Sequence, residues 1–306
     1  MRVVFMGTPD FAVPTLVRLA EKHEVLGVFT QPDKPKGRHM ILTPSDVKVK
    51  AEELNIPVFQ PESLKHGEAM PILEDLKPDI IVVAAYGQIL KSDVLNFPEY
   101  GCVNAHGSLL PKYRGAAPIQ RAVIDGETET GITAMLMDEG LDTGDILNVK
   151  KTEIGVNETA GELFDRLAAL AADTIEETLE NIEELRKSAV KQDDAKSCYA
   201  KMLTKDECPI DWTRTAQEIH NQVRGLNPWP TATTTLDGAT FKIHTTRKTD
   251  NRTIEKPGTI RTEKDRLFVA TGNNKEIEIT EIQPQSGRRM SAEAYLLGHT
   301  LEGVFE

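Results

Sequence analysis

The stretch Asp79-Ile80-Ile81-Val82-Val83-Ala84 constrains this chain more than any other. A strand with one wet face alternates apolar and polar side chains. Here the apolar run is continuous, so both faces must be covered, as in the parallel sheets of α/β proteins. Val3 to Gly7, Val25 to Thr30, Pro57 to Phe59 and Gly101 to Ala105 read as further short strands. Helical patterns fall between them: Phe11, Val13, Leu16, Val17 and Leu19 follow the first strand, Ser45 caps a helix running to about Asn55, and another lies near Met70–Leu76. Strands and helices alternating in short steps make βαβ units, and right-handed crossovers wind them on both faces of a mostly parallel sheet. Gln31 to Arg38, with two prolines and a glycine, reads as an irregular loop.

Gly131 to Met137 and Asp145 to Thr152 predict two more strands, a hairpin-like addition to the sheet. Glu158 to Arg186 predicts one long helix, with a stripe of Leu163, Leu167, Leu170, Ile175, Leu179 and Ile182. Gln192 to Ser197 is polar and aperiodic, a linker pattern. From Lys205 the texture changes. After a helix over Ala216–Val223, short runs at Thr231–Leu236, Phe241–Thr245, Gly258–Arg261, Leu267–Thr271 and Ile277–Ile282 alternate with turn signals. That spacing predicts a small β-barrel. The expected organisation is a doubly wound α/β domain over 1–190, a linker over 191–204 and a smaller β-barrel over 205–306.

The 306 residues carry 36 Lys and Arg against 48 Asp and Glu, a net charge of −12. Taken as an average, that sign argues against a polyanion partner. The distribution reads differently. Residues 158–194 hold 4 basic and 11 acidic residues, whereas Thr30 to Lys50 holds 5 basic and 2 acidic in a Pro- and Gly-punctuated loop. No apolar run approaches the ~20 residues of a membrane span, and the apolar start is too short for a signal peptide. Cys102, Cys198 and Cys208 are widely spaced, so neither a disulfide framework nor a zinc site follows. The expected compartment is the cytoplasm, with no membrane partner, and a monomer is the expectation.

Ligands of parallel sheets bind outside the carboxyl ends of the strands. The strand at 101–105 ends in Asn104-Ala105-His106-Gly107-Ser108-Leu109-Leu110-Pro111. Asn104 and His106 are two apart and project to one side of an extended chain. An amide donor beside an imidazole suits a developing oxyanion; a cap-and-turn cluster is the plainer reading. Asp138, Asp142 and Asp145 lie in one loop with Gly140 and Gly144. They lack calcium-loop spacing, so no metal is expected. Either the loop is a plain turn, or one of its carboxylates meets His106 to orient it and relay a proton. Gly7-Thr8-Pro9-Asp10 lacks the dinucleotide fingerprint, so no NAD is implied.

Asn104, His106 and Asp142 in this setting resemble the site of the folate-dependent formyltransferases. Ser108-Leu109-Leu110-Pro111-Lys112-Tyr113-Arg114-Gly115-Ala116-Ala117-Pro118, the opening Phe5-Met6-Gly7-Thr8-Pro9-Asp10-Phe11-Ala12 and the loop Thr30 to Arg38 are similar to the branch of that family that formylates methionyl-initiator tRNA. Asp211-Trp212 and Arg224 to Pro230 resemble its C-terminal domain. The resemblance implies a Rossmann-like formyltransferase domain followed by an OB-like barrel. It implies (6R)-10-formyltetrahydrofolate as formyl donor and the amino group of methionyl-initiator tRNA as acceptor. Asn104 and His106 would then hold the oxyanion and Asp142 would assist proton transfer. Ser108, Leu109, Leu110 and Pro111 with Tyr86, Gly87, Gln88, Ile89 and Leu90 would line the folate pocket, although Ile89 and Leu90 also read as plain core. Lys34, Lys36 and Arg38 would contact the tRNA acceptor end. Arg247, Lys248, Arg252, Arg288 and Arg289 of the barrel would add a second basic surface. The rivals are a formyltransferase acting on glycinamide ribonucleotide or a sugar amine, and a non-catalytic RNA-binding protein.

Overall fold

The apolar runs become strands where the sequence places them. In order, the first two-thirds of the chain forms β1 (Arg2–Gly7), α1 (Val13–Lys22), β2 (Glu24–Phe29), β3 (Lys34–Lys36), β4 (Ile41–Thr43), α2 (Asp46–Glu53), β5 (Val58–Phe59), α3 (Met70–Leu76), β6 (Ile80–Ala84), α4 (Ser92–Leu95), β7 (Cys102–His106), α5 (Pro118–Ile124), β8 (Glu129–Leu136), β9 (Ile146–Glu153), α6 (Ala160–Glu180) and α7 (Ile182–Lys187). The rest forms α8 (Ala216–Gly225), β10 (Ala232–Leu236), β11 (Ala239–Arg252), β12 (Ile260–Glu263), β13 (Arg266–Ala270), β14 (Lys275–Pro284), β15 (Met290–Ser291) and α9 (Ala292–Leu296). This computed structural model describes residues 1–37, 40–64 and 67–306. Two units emerge from it. One comprises residues 1–115, 130–152 and 164–200; the other comprises 116–129, 153–163 and 201–306.

The first unit is built on a seven-stranded sheet of order β5-β2-β1-β6-β7-β8-β9. The pairs β2–β5, β1–β2, β1–β6 and β6–β7 are parallel, and β8 is antiparallel to β7. Every residue of β6 and β7 is buried, as the unbroken apolar run of β6 requires. The chain leaves β1 toward β2 and β5, then returns to the other side of β1 with β6. Strand order therefore reverses at β1/β6, whose carboxyl ends meet where Gly7 pairs with Ala84. Local signals set the helices: Ser45 Oγ accepts from Lys48 N at 3.1 Å to start α2.

Two expectations need correction here. Residues 34–36 are not irregular: they pair with Ile41–Thr43 as an antiparallel ribbon, with Pro35 opposite Leu42. In a two-stranded ribbon each strand is an edge, so a proline whose nitrogen faces away from the partner forfeits no ladder bond. The long helix expected over 158–186 is two, α6 and α7, broken at Asn181 (φ −119°, ψ 19°). The apolar stripe continues through the break, since Ile182 is buried, which is why periodicity alone did not reveal it.

In the second unit the sheet order is β10-β11-β14-β13-β12, all antiparallel, with β15 beside β14. Its edges β10 and β12 do not pair with each other. Residues 303–306 bond to both sides instead: Thr235 and Glu306 exchange N–H···O bonds at 3.0 and 2.9 Å, Ile260 N donates to Gly303 O at 2.9 Å and Phe305 N to Gly258 O at 2.9 Å. Phe305 is buried and stacks on Trp212 at 5.8 Å. In α8 a capping box, Thr215 with Glu218, satisfies the first turn. Among the described residues no helix is long and apolar enough to cross a membrane.

Candidate active site

β7 brings Asn104 and His106 to its carboxyl end on one side, as their spacing predicts, and both are buried, 9% and 6% exposed. Among the described residues the Asn104 amide makes no side-chain hydrogen bond, leaving its N–H groups available to a ligand. His106 is anchored. Its Nε2 lies 2.8 Å from Tyr113 O, and a carbonyl only accepts, so Nε2 carries the hydrogen. Nδ1 is then the ring nitrogen free to take a proton. Asp142 Oδ2 lies 3.7 Å from it, within ion-pair range but beyond a hydrogen bond.

Asp142 reaches this place by an indirect route. β8 runs against β7, so its end lies beside the start of β7, where Met137 N donates to Cys102 O at 2.8 Å. The loop after it doubles back toward His106. Asp142 takes a left-handed backbone conformation (φ 53°), and its Oδ2 accepts from Gly115 N at 2.8 Å. Gly115 has φ 117°, and a Cβ there would lie 2.6 Å from Tyr199 and 2.9 Å from Ala200 O, so only glycine brings its amide this close. Asp138 is used locally: its Oδ1 accepts from Gly140 N and Thr143 Oγ1. Among the described residues no group of three or more His, Cys, Asp and Glu is placed to hold a metal.

The expected folate residues occupy the neighbouring strand ends. The loop after β6 is tied to β1 and β2: Thr8 Oγ1 donates to Tyr86 O at 2.9 Å, and Gln31 Nε2 donates to Tyr86 O and Gly87 O at 3.0 and 3.1 Å. Gln88 is occupied, its Oε1 accepting from Leu64 N and its Nε2 donating to Pro61 O. Burial pushes the Tyr86 phenol up to about 12, so it stays neutral, and its hydroxyl has no hydrogen-bond partner among the described residues. The core reading of Ile89 and Leu90 divides: Leu90 is buried, but Ile89 is 73% exposed. Ser108 is fully buried, its Oγ donating to Lys112 O at 2.7 Å and its carbonyl accepting from Thr133 Oγ1 at 2.6 Å. Leu109, Leu110 and Pro111 follow in the same turn, and Leu110 N donates to Thr133 Oγ1 at 3.1 Å. A hollow at the opposite, amino ends of the strands is lined by Asp79, Glu99, Glu180, Glu183 and Glu184, the wrong sign for an anionic folate.

Of the expected tRNA residues, Lys34 lies in β3 and its Nζ donates to Gln31 Oε1. Lys36 also lies in β3. Arg38 lies outside the described residues. In the barrel, Arg247 pairs with Glu278 at 3.6 Å, Arg289 with Glu281 at 2.5 Å, and Lys248 donates to Gln217. Arg252 and Arg288 make no ion pair among the described residues.

Residues outside the expected set also shape the site. Tyr113 and Gly115 hold His106 and Asp142 through their backbone. Thr133, opposite His106 on β8, fixes the 108–110 turn. Gln192 bonds the loop that carries Asp142. Tyr113 and Gly115 lie in the 108–118 run but act through backbone atoms, and Thr133 and Gln192 bond backbone groups more than 20 residues away, so no side-chain pattern marks their roles.

The family profile described as formyl transferase matches residues 1–179, and that of the formyl transferase C-terminal domain matches 202–300. A methionyl-tRNA formyltransferase of Geobacter metallireducens is 49% identical over 304 residues, covering 99% of this chain and 97% of its own length. Its counterpart in Bacillus subtilis is 45% identical over 303 residues, covering 98% and 96%. The crystal structure of an N-formyltransferase from Helicobacter canadensis, in complex with folinic acid and dTDP-3-aminofucose, matches with a TM-score of 0.67 at 20% identity, over 90% of this chain and 98% of that one. At that identity the likeness concerns the fold. On the profiles and the near-full-length relatives together, the chain belongs to the methionyl-tRNA formyltransferase family.

Proposed function

We propose that this chain transfers the formyl group of 10-formyltetrahydrofolate to the free amino group of methionyl-initiator tRNA, in the cytoplasm. The observation that carries the reading is the placing of Asn104, whose amide has no side-chain hydrogen bond among the described residues, with His106 Nδ1 and the Asp142 carboxylate at one strand end. The methionyl nitrogen attacks the formyl carbon, and the carbonyl oxygen takes the negative charge. The Asn104 N–H groups and protonated His106 stabilise that oxygen, a role whose loss typically costs ~10²–10³ in rate. Collapse breaks the bond to folate N10. The proton leaving the amine and the proton arriving at N10 pass by way of His106, with Asp142 holding the imidazolium. No side-chain nucleophile is needed, so transfer is direct.

On this reading the 84–90 and 108–111 segments receive the folate, and the β3–β4 ribbon with Lys34, Lys36 and Arg38 meets the acceptor end of the tRNA. Residues 205–306 form the tRNA-binding domain beyond a linker over 191–204. The test supplies 10-formyltetrahydrofolate with charged initiator tRNA, uncharged tRNA or glycinamide ribonucleotide. Formyl-methionine released from the charged tRNA alone is expected. Transfer only to the nucleotide would replace the reading with that of a small-amine formyltransferase.

A further inference from the structure

Gln192 lies 50 residues from Asp142 in sequence and 48 from Gly144, yet both carbonyls accept from its Nε2, at 2.9 and 2.7 Å. Carbonyls only accept and guanidinium only donates, which fixes the amide. Its Oε1 accepts from Arg114 Nε and Nη2 at 3.0 and 2.9 Å, so both hydrogens and both lone pairs are used. Arg114 is held in turn by Asp194 at 2.8 Å. The backbone around Gln192 is stitched on both sides. Val190 and Ile146 exchange hydrogen bonds at 2.9 Å, Arg114 N donates to Cys198 O at 3.0 Å, and Ala200 N donates to Arg114 O at 2.7 Å.

The same three residues therefore govern the whole site. Tyr113 O fixes the His106 ring, Gly115 N fixes the Asp142 carboxylate, and the Arg114 side chain aims the amide that fixes the Asp142 backbone. That last restraint holds Asp142 in a left-handed conformation (φ 53°), which is uncommon outside glycine. Gly144 packs directly on the end of β8, where a Cβ would meet Leu136 O at 1.8 Å. We propose that Gln192, oriented by Arg114, is a positioning residue for formyl transfer, setting the reach of Asp142 to His106. This rests on the reaction proposed above.

The test is a double-mutant cycle in single-turnover formyl transfer to methionyl-tRNA. Gln192→Met keeps the reach and removes both donors; Gln192→Glu keeps the acceptor for Arg114 and removes the donors. Each is expected to lower kcat by about 10–100-fold, the range for an ångström-scale misplacement. KM for folate and tRNA should stay within about twofold. In an Asp142→Ala background the same substitutions should add less than about twofold, because Gln192 acts only through Asp142. Full additivity in that background, an unchanged kcat, or a fall in activity confined to KM would overturn the proposal. So would failure of both variants to fold, which would assign Gln192 to stability. A wild-type protein inactive on methionyl-tRNA would instead remove the reaction itself, and the inference with it.

Discussion

Replacing Asp142 with Asn isolates the charge at the centre of the site. The substitution keeps an oxygen to accept from Gly115 N, which now reaches Asp142 Oδ2 at 2.8 Å. It also keeps the backbone content, since Asn tolerates left-handed conformations better than most residues and φ at 142 is 53°. What it removes is a negative charge 3.7 Å from His106 Nδ1. Two unit charges about 4 Å apart interact by about 4 kcal/mol at an effective dielectric near 20. The side chains are 6% and 14% exposed, so solvent screens the pair only partly. Taking about half to all of that value as stabilisation of the imidazolium, and ~1.4 kcal/mol per decade, Asp142→Asn should slow transfer by about 30- to 1,000-fold. The melting temperature should hold, because the hydrogen bond and the backbone survive. Single-turnover transfer from 10-formyltetrahydrofolate to methionyl-tRNA, beside a thermal melt, reads both. A rate within about threefold of wild type, at unchanged stability, would show that the carboxylate does not act on His106 and would leave it a role in holding the loop alone.

Gly115→Ala should damage stability and rate together. Its Cβ would press on Tyr199 and the Ala200 carbonyl at 2.6 and 2.9 Å with φ at 117°, an overpacking of about 1–3 kcal/mol; a melt and a rate both near wild type would mean the Ala200 segment yields freely. Glu276→Gln tests acid stability. The Arg261 hydrogen bond, helped by Asn251, holds the Glu276 carboxyl below its ordinary range against the opposing effect of burial. With the folded pKa depressed, the unfolded chain takes up the proton first, near pH 4.3. The stabilisation is thus complete above that pH and lost as pH falls through the folded value. The variant should be less stable at pH 7 and converge on wild type as pH falls through the depressed folded value, read from melts across the acid range; a gap independent of pH would exclude the linkage.

The parts of this molecule that could be read in advance are those where one short-range rule decides. β6 is a buried strand because nothing in 80–84 can face water. Asn104 and His106 share a side because strands have period two. Where two rules compete, the reading failed. Prolines in 31–38 suggested irregular chain, but an antiparallel partner at 41–43 outweighed them. The stripe through Ile182 suggested one helix, and it is silent about the break at Asn181 because both helices bury the same kind of face. The restraints on the site lie beyond any local rule. Asp142 approaches His106 because its loop doubles back, and Gln192 is held by carbonyls, which every residue has. The closing of the sheet edges by 303–306 is of the same kind, made of backbone bonds to Thr235, Gly258 and Ile260.

Charge shows what the added detail changes for the proposed partner. The net −12 is uneven: 11 of the 48 acidic residues fall in 158–194, where Asp173 and Glu177 are already paired with Arg18 and Lys150. The barrel's arginines were expected to offer a second basic surface. Of these, Arg247 and Arg289 sit on carboxylates of β14, as do Arg261 and Arg266 outside that set, while Arg252 and Arg288 make no ion pair among the described residues. Such pairs cancel at a distance beyond about a Debye length, near 10 Å, while each guanidinium keeps further N–H groups for a phosphate that comes close. The paired arginines exert little long-range pull and give up few counterions, which leaves the salt dependence of binding to the basic residues that have no carboxylate partner. Lys34 on the β3–β4 ribbon and Lys248 differ, because their partners Gln31 and Gln217 are neutral and do not offset their charge. Gln31 also bonds the carbonyls of Tyr86 and Gly87 at the expected folate loop. The residue that leaves the ribbon its charge is thus the one that ties it to the neighbouring strand end. On the proposed function, a polyanion drawn to Lys34 arrives beside the loop proposed to receive the folate.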